Sequence, residues 1–232
     1  MQKLPPTIVI TGGAGGIGTA VARRLLDDGA IVVSLDRVAA SSATASHVLD
    51  VADEAAMAAA FAAVAADHGD VTGLVCAAGS VAEHPVAGMP LAEWRSVIDA
   101  SLTGTFLAAR AALPAMIAAG RGSIVAFSSG YASNGYRNGA NYAAAKAGVE
   151  ALVKSIALEN AAYGIRANSV APGPIDTPMV TAARAKVVTP LIPLGRIGTT
   201  ADVVGLVRFL LGDESAYITG QTIHVNGGLS MR

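Results

Sequence analysis

A tyrosine and a lysine four residues apart are the first candidates for chemistry in this sequence. Tyr142 and Lys146 lie in the segment NYAAAKAGVEALVKSIALE, which otherwise consists mostly of small and apolar residues. On a helix, this spacing places both side chains on one face, one turn apart. A free phenol has a pKa of about 10, so proton transfer near neutral pH requires a shift of about three units, or roughly 4 kcal/mol. A nearby ammonium lowers a pKa by about one to three units, so the pair is either a tuned acid/base or an incidental surface pair.

A glycine-rich turn near the start of the chain indicates a nucleotide site. Residues 11–18 read TGGAGGIG, after the strand pattern TIVITG and before the helix pattern IGTAVARRLLDDG. Glycines in this position let the backbone approach a pyrophosphate, which lies against the N–H groups of a helix N-terminus. Asp36 ends the next strand pattern, where a carboxylate can bind ribose hydroxyls. The alternative is a tight strand-to-helix turn without a ligand.

Taken together, these motifs resemble those of the short-chain dehydrogenase/reductase family. The turn has the spacing G-x-x-x-G-x-G and matches the family's opening motif T-G-x-x-x-G-x-G. The segment YAAAK matches the family's Y-x-x-x-K, and Ser129 stands 13 residues before Tyr142, as the family's catalytic serine does. VAPGPIDTP and YITGQTIHVNGG are similar to the family's later proline-glycine motif and C-terminal strand. The resemblance therefore covers nearly the whole chain.

The resemblance implies hydride transfer between a nicotinamide dinucleotide and a secondary alcohol or ketone. Tyr142 would be the general acid/base, Lys146 its electrostatic partner and a ribose ligand, and Ser129 the hydroxyl that orients the substrate oxygen. The oxidised nicotinamide ring would add a second positive charge beside the phenol. The implied cofactor-binding residues are Thr11, Gly12, Gly16, Ile17, Gly18, Asp36, Arg37, Asp50, Val51, Ala78, Gly79, Tyr142, Lys146, Pro172, Gly173, Ile175 and Thr177.

Two segments depart from the family pattern. Where the family usually has N-N-A-G after the fourth strand, this chain has CAAG, beginning at Cys76. Ser101 stands where the family's asparagine is thought to hold a water that links the lysine to solvent. Serine is shorter and has one hydroxyl in place of an amide. We therefore expect Ser101 to take part in a proton relay that is weakened, with activity retained.

The two residues at the end of the second strand favour different cofactors. Asp36 lies 24 residues after Gly12, where a carboxylate accepts hydrogen bonds from ribose hydroxyls and repels a 2′-phosphate, which favours NAD. Arg37 could attract that phosphate and so favour NADP. The sequence predicts NAD and leaves NADP open.

The elements that position these residues form an α/β pattern. Short apolar strands alternate with helices along all 232 residues, without a repeat or a composition break. Strands that are apolar throughout indicate a parallel sheet covered on both faces. We predict a single-domain, doubly wound sheet of Rossmann type over residues 1–232. The link between Asp36 and the strand SHVLDV is too short for a full helical crossover.

The composition excludes several classes of partner. The formal net charge is −1 and 14% of residues are charged, so the chain lacks a basic field for nucleic acid. The 12-residue apolar run at 55–66 is too short to span a membrane. One cysteine and no leader pattern fit a cytoplasmic protein. The four histidines have no metal-binding spacing, and the apolar stripes at 101–119 and 141–162 are core or a homo-oligomer interface, as in the family's dimers and tetramers.

The substrate is expected at the carboxyl ends of the strands. Candidate wall residues there are Tyr131, Asn134, Tyr136 and Arg137, with His84 as a remote contact. The loop at 177–193 is short, which predicts a modest and rather open pocket. Two alternative functions stay open: an NADPH-dependent reductase of 3-oxoacyl thioesters, and a non-catalytic dinucleotide-binding sensor.

Overall fold

The structure is a computed structural model that describes residues 4–231. The strands are β1 (Thr7–Thr11), β2 (Ile31–Asp36), β3 (Ala45–Val48), β4 (Gly73–Cys76), β5 (Gly122–Phe127), β6 (Ile165–Pro172) and β7 (Thr222–Val225). The helices are α1 (Gly16–Asp27), α2 (Glu54–His68), α3 (Leu91–Ile98), α4 (Gly104–Ala119), α5 (Tyr131–Asn134), α6 (Ala140–Asn160), α7 (Ala182–Val188) and α8 (Thr200–Leu211). A π-helical turn, Asp99–Thr103, joins α3 to α4.

The strands form one parallel sheet in the order β3-β2-β1-β4-β5-β6-β7 within the described residues. The direction of the winding changes between β1 and β4, which are neighbours in the sheet although they are not consecutive in the chain. In such sheets the ligand crevice lies outside the carboxyl ends of the strands at this switch point. The predicted doubly wound α/β fold is confirmed.

The apolar strands are buried because helices cover both faces of the sheet. In β1 the side chains of Ile8 and Ile10 pack with α1 and α8 on one face. Val9 points the other way and packs in a cluster with α2, α4 and α6. This alternation is the two-residue period of a strand, and burial on both faces explains why the strands read as continuous apolar runs.

The edge of the sheet shows the irregular crossover that the sequence indicated. Between β2 and β3 the described chain has bends and no helix, and β3 is only four residues long. Thr44 nevertheless fixes the link, since its backbone N–H donates to the Val32 carbonyl at 2.7 Å and its hydroxyl accepts from the Val32 N–H at 3.1 Å. These hydrogen bonds hold the link at the edge of the sheet, although no helix connects β2 to β3.

One helical stretch in the described part of the chain, Leu91–Ala119, is long and apolar enough to cross a membrane by length and composition. The inner face of this stretch is buried against the sheet, where Leu107, Ala112 and Met116 belong to the core. The core helix of a globular protein passes the same hydropathy test. Packing on the sheet thus accounts for the apolar character of the inner face of this stretch.

Candidate active site

The three predicted catalytic side chains meet in one cavity of about 420 Å³. Ser129 follows the end of β5, while Tyr142 and Lys146 lie in the first two turns of α6. Ser129 and Lys146 are almost fully buried. The i, i+4 spacing therefore directs both side chains inward to the carboxyl end of the sheet.

Local sequence fixes the start of α6 at this position. The Asn141 side-chain oxygen accepts a hydrogen bond from the Tyr142 backbone N–H at 2.8 Å. About two turns further on, Gly148 packs against the π-helical turn, and a Cβ added there would lie 2.6 Å from Leu102 Cδ2. The absence of a side chain thus lets α6 approach the segment that carries Ser101.

The surroundings of Tyr142 raise the pKa of its phenol in this structure. Burial is the largest cause, and it is opposed by a hydrogen bond with Ser129 and by the positive charge of Arg184. The upward direction differs from the downward shift expected from Lys146. The Lys146 ammonium lies 5.7 Å from the centroid of the Tyr142 ring and donates its hydrogen bond to the Phe127 carbonyl. It therefore does not offset the effect of burial on the phenol. A net downward shift stays a prediction for the complex with oxidised cofactor.

Lys146 is a buried cation with one strong backbone partner. Its Nζ donates a hydrogen bond to the Phe127 carbonyl oxygen at 2.7 Å. Burial lowers the pKa of this ammonium to about 8. Because the ordinary value is 10.5, Lys146 is easily deprotonated for a lysine, and a ligand that favours its charged form would draw a proton to it.

The two departures from the family pattern lie directly beside Lys146. Ser101 is fully buried in the π-helical turn, and its Oγ accepts a long hydrogen bond from the Ser80 N–H at 3.4 Å. A Cβ on Gly79 would lie 3.1 Å from Ser101 Oγ and 3.4 Å from Lys146 Nζ, so both polar atoms face that glycine. Burial raises the pKa of the Cys76 thiol to about 12, and this cysteine therefore stays protonated at neutral pH.

A second cleft of about 630 Å³ runs from the glycine-rich turn towards the catalytic cavity. Predicted cofactor residues that line it include Gly12, Gly16, Gly18, Asp36, Arg37, Asp50, Val51, Ala78 and Gly79. The two clefts share Ile17, Ala77, Gly79, Thr177 and Met179. They therefore form one continuous groove, with Tyr142 at one end and Asp36 at the other.

The groove fits a nicotinamide dinucleotide. Gly12 has a φ of 72°, and a Cβ there would lie 2.5 Å from the Ala78 backbone nitrogen, so this close approach of two chain segments requires glycine. Helix α1 begins at Gly16 without a side-chain cap among the described residues, which leaves N–H groups for a pyrophosphate. The Asp36 carboxylate is fixed by N–H donors from Ala14 at 3.0 Å and Arg37 at 2.6 Å, and its remaining lone pairs can accept ribose hydroxyls.

Besides Ser101, three predicted residues line neither cleft. Thr11 is buried beneath the turn at the end of β1, where it is in register with Cys76 of β4. Arg137 is absent from the lining of both clefts, as is His84, whose Nδ1 lies 3.3 Å from Glu93 Oε2 at the surface. By contrast, Tyr131, Asn134 and Tyr136 line the catalytic cavity as predicted.

The segment at 177–193, which the sequence indicated as a short loop, is partly helical. It contains α7, from which Arg184 projects into the cavity wall, and Met179, Val180, Val188 and Leu191 line the same wall. Lys186 is also charged in this segment, so the sequence alone did not distinguish Arg184 as a site residue. The sequence indicated only a connection at 177–193, whereas the structure has the seven-residue helix α7 there; the modest, rather open pocket stays a prediction.

This sheet topology and groove, with a serine, a tyrosine and a lysine at one end, define a nicotinamide-dependent oxidoreductase. Residues 12–230 match the family model described as enoyl-(acyl carrier protein) reductase. The chain belongs to the short-chain dehydrogenase/reductase family.

Several known proteins are similar over almost their full length. The cis-4-hydroxycyclohexanecarboxylate dehydrogenase of Sinomonas cyclohexanicum is 40% identical over 95% of this chain and 94% of its own. The 3-oxoacyl-acyl-carrier-protein reductase FabG of Escherichia coli K12 is 36% identical over 96% of each chain. The solved ligand-free structure of Thermoplasma acidophilum aldohexose dehydrogenase aligns with a TM-score of 0.93 and 33% identity, covering 99% of this chain and 95% of the other.

These findings establish the chemistry at the level of the family. The protein is an NAD(P)-dependent oxidoreductase that acts on CH–OH groups of small molecules. The alternative of a non-catalytic sensor is therefore not supported.

Proposed function

We propose that the enzyme transfers a hydride between NAD(H) and a secondary alcohol or the corresponding ketone, with Tyr142 as the general acid/base. The observation that carries this proposal is the convergence of Ser129, Tyr142 and Lys146 where the dinucleotide groove meets the smaller cavity. Within this proposal residues 1–232 act as one cofactor-binding and catalytic domain.

The residues divide the proton chemistry among them. When bound, the nicotinamide cofactor supplies or accepts the hydride. During oxidation Tyr142 takes the proton of the substrate hydroxyl, and during reduction it returns that proton to the ketone oxygen. Ser129 orients the oxygen; its own Oγ is positioned by accepting the Tyr131 N–H at 3.3 Å. Lys146 would hold the ribose of the cofactor, and its positive charge would stabilise negative charge on the phenol oxygen.

Asp36 supports a preference for NAD. Its carboxylate lines the groove and is held in place by backbone donors at the end of β2. A 2′-phosphate beside this charge would be repelled. The second candidate, an NADPH-dependent reductase, is favoured by Arg37, which lines the same groove and has no ion pair among the described residues.

A pair of titrations separates the two cofactors. The fluorescence of NADH and of NADPH is followed on addition of the protein at one salt concentration, for the parent and for Asp36→Ala and Arg37→Ala. Tighter NADH binding that is lost in Asp36→Ala supports the NAD proposal. Tighter NADPH binding that is lost in Arg37→Ala supports the reductase, and binding of neither contradicts both.

The relatives suggest two substrate classes for a first screen. One relative is named for a hydroxycyclohexanecarboxylate and another for 3-oxoacyl thioesters. The apolar lining contributed by Val81, Val180, Val188 and Leu229 suits the hydrocarbon body of either. Oxidation of 4-hydroxycyclohexanecarboxylate with NAD and reduction of an acetoacetyl thioester with NADPH are the two assays that discriminate between them.

We also propose a cytoplasmic homo-oligomer. Apolar side chains remain exposed on the outer surface of α3, α4 and α6, namely Trp94, Phe106, Ile117 and Leu158. An apolar patch of this kind commonly marks a protein interface. The single cysteine, Cys76, is free and buried, which fits a reducing compartment.

A further inference from the structure

We propose that the substrate of this enzyme carries a carboxylate, which Arg184 binds in the wall of the catalytic cavity. The inference rests on the proposed function and names the substrate class of the same site. It predicts a hydroxy acid, or the corresponding oxo acid, with an apolar body between its two oxygen-bearing ends.

The charge of the cavity lining favours an anion. Among the described residues that line the cavity, the charged ones are Lys146 and Arg184, and no carboxylate is present. Lys146 donates to the Phe127 carbonyl and faces Gly79, which the cavity shares with the cofactor groove. Arg184 is therefore the cation that a substrate would meet within the apolar part of the cavity.

The guanidinium is held in a fixed orientation. Its Nη1 donates to Glu83 Oε1 at 2.9 Å, and its Nη2 donates to the Tyr131 hydroxyl at 3.2 Å. It also lies over the ring of Tyr136, 5.0 Å from the centroid, and that ring stacks on Tyr131 at 4.2 Å. Because guanidinium carries five N–H donors in a planar fork, donors remain for a carboxylate, and little orientational freedom is lost on binding.

The Glu83 carboxylate does not occupy the position in the cavity that we assign to the substrate carboxylate. It is about half exposed and is not part of the cavity lining, so it pairs with Arg184 from the solvent side. Such a partly exposed ion pair is screened by water and is weak. The pair therefore orients Arg184 while leaving its inner side for a ligand.

The cavity supplies the rest of the binding site. Met179, Val180, Val188, Leu191 and Leu229 provide apolar contacts along its wall. Ser129 and Tyr142 line the same cavity and provide the hydroxyls for the reacting oxygen. Arg184 also lies near enough to Tyr142 to lower the pKa of that phenol, which is consistent with a short substrate that spans the two groups.

The test compares a hydroxy acid with its neutral ester. Steady-state kcat and KM are measured for 4-hydroxycyclohexanecarboxylate and its methyl ester, with the preferred coenzyme, in the parent and in Arg184→Gln, Arg184→Lys and Glu83→Gln. In Arg184→Gln the ratio of kcat/KM for acid over ester falls by about tenfold to a hundredfold, mainly through the KM of the acid. Arg184→Lys loses less, since it keeps the charge without the planar fork.

Glu83→Gln is the matched control, because it removes the competing charge and keeps a side chain of the same shape. The proposal predicts that this variant raises the acid-over-ester ratio, opposite to Arg184→Gln. A purely structural role for Arg184, as a tie between α7 and Glu83, predicts that both variants change acid and ester alike, and that result overturns the proposal.

The outcomes also separate this proposal from the function on which it rests. Turnover of cyclohexanol and of the ester with none of the acid refutes carboxylate binding and leaves the oxidoreductase proposal intact. Absence of turnover for every secondary alcohol and ketone with both coenzymes refutes the proposed function, and the carboxylate site falls with it.

Discussion

At the scale of single residues, the site without ligands favours the protonated form of Tyr142, its general acid/base. Burial raises the pKa of Tyr142, and burial lowers the pKa of Lys146 to about 8. Both shifts favour neutral side chains. A bound cation beside the phenol, and a ligand that accepts hydrogen bonds from Lys146, would reverse both tendencies.

The lowered pKa of Lys146 predicts a dependence of stability on pH. The folded chain holds this pKa near 8 and the ordinary value is 10.5, so the unfolded state binds more protons between these values. The free energy of unfolding therefore rises with pH across this window. From pH 7 to pH 9 we expect Lys146 to contribute a gain of about 1 kcal/mol.

Urea unfolding of the parent and of Lys146→Met at the two pH values measures that gain. The variant removes the titrating group. Cys76 and Tyr142 are present in both proteins, and burial keeps both side chains protonated in the folded chain across this range, so their contributions differ little between parent and variant. Equal pH dependence in parent and variant would show that Lys146 has an ordinary pKa in the folded chain.

Ser101 is the residue whose replacement should speed the reaction. Its hydroxyl faces the same glycine as Lys146 Nζ and, among residues 4–231, accepts one long hydrogen bond, from the Ser80 N–H. An asparagine there would present an amide to a water that links Lys146 to solvent. We expect Ser101→Asn to raise kcat by about tenfold if proton delivery limits the rate. An unchanged kcat would show that the relay is intact or that another step is limiting.

At the scale of elements, the turn between β1 and α1 predicts that a single added methyl group at Gly12 destabilises the fold. Gly12 has a φ of 72°, for which an alanine pays about 1–2 kcal/mol, and its Cβ would also strike the Ala78 backbone. Gly29 has a φ of 85° and no atom within 4 Å of an added Cβ. Gly12→Ala should therefore destabilise the fold by more than Gly29→Ala.

Thermal unfolding and NADH titration of the two variants check this comparison. Gly29→Ala should lose stability and keep NADH affinity, since it lies outside the groove lining. We expect Gly12→Ala to lose both stability and NADH affinity, because the added Cβ would push the turn away from the Ala78 segment. Equal effects on stability would contradict the close contact described here.

Elements that are determined by neighbouring residues could be predicted from the sequence. Features that depend on contacts between distant residues could not. The glycine-rich turn, the strands and the Tyr142 helix follow from patterns that lie within a few residues of each other. The position of Arg184 does not, because it depends on α7 folding back over Tyr131 and Glu83, whose positions are far from it in the chain. Ser101 was identified by resemblance, but its burial beside Gly79 required the packing of α6 on the π-helical turn.

At the scale of the whole molecule, the order of the parallel strands places the cofactor-binding residues and the catalytic residues along the same edge of the sheet. The groove begins at β1 and β2, where Asp36 lies, and ends beyond β5, where Ser129 lies. Because all strands are parallel, their carboxyl ends share that edge. A chain whose strands were predicted correctly but ordered differently would not bring these residues together.

The exposed apolar side chains of the outer helix layer predict association of copies of this chain. Phe106 and Leu158 are 43% and 85% exposed, and burying them between subunits would remove apolar area from water. Light scattering should give a mass that is a multiple of 23.1 kDa, and Phe106→Glu with Leu158→Glu should lower it. Tyr217→Glu, at a fully exposed site elsewhere, is the control. A monomeric parent would contradict the oligomer.

The role of Tyr142 is tested most directly by replacing it with phenylalanine, which removes only the hydroxyl. Turnover of the best secondary alcohol is measured together with NADH binding. We predict that turnover falls by about a hundredfold or more, as expected for loss of a general acid/base, while NADH affinity stays within a few-fold of the parent. Turnover within a few-fold of the parent would contradict the catalytic assignment.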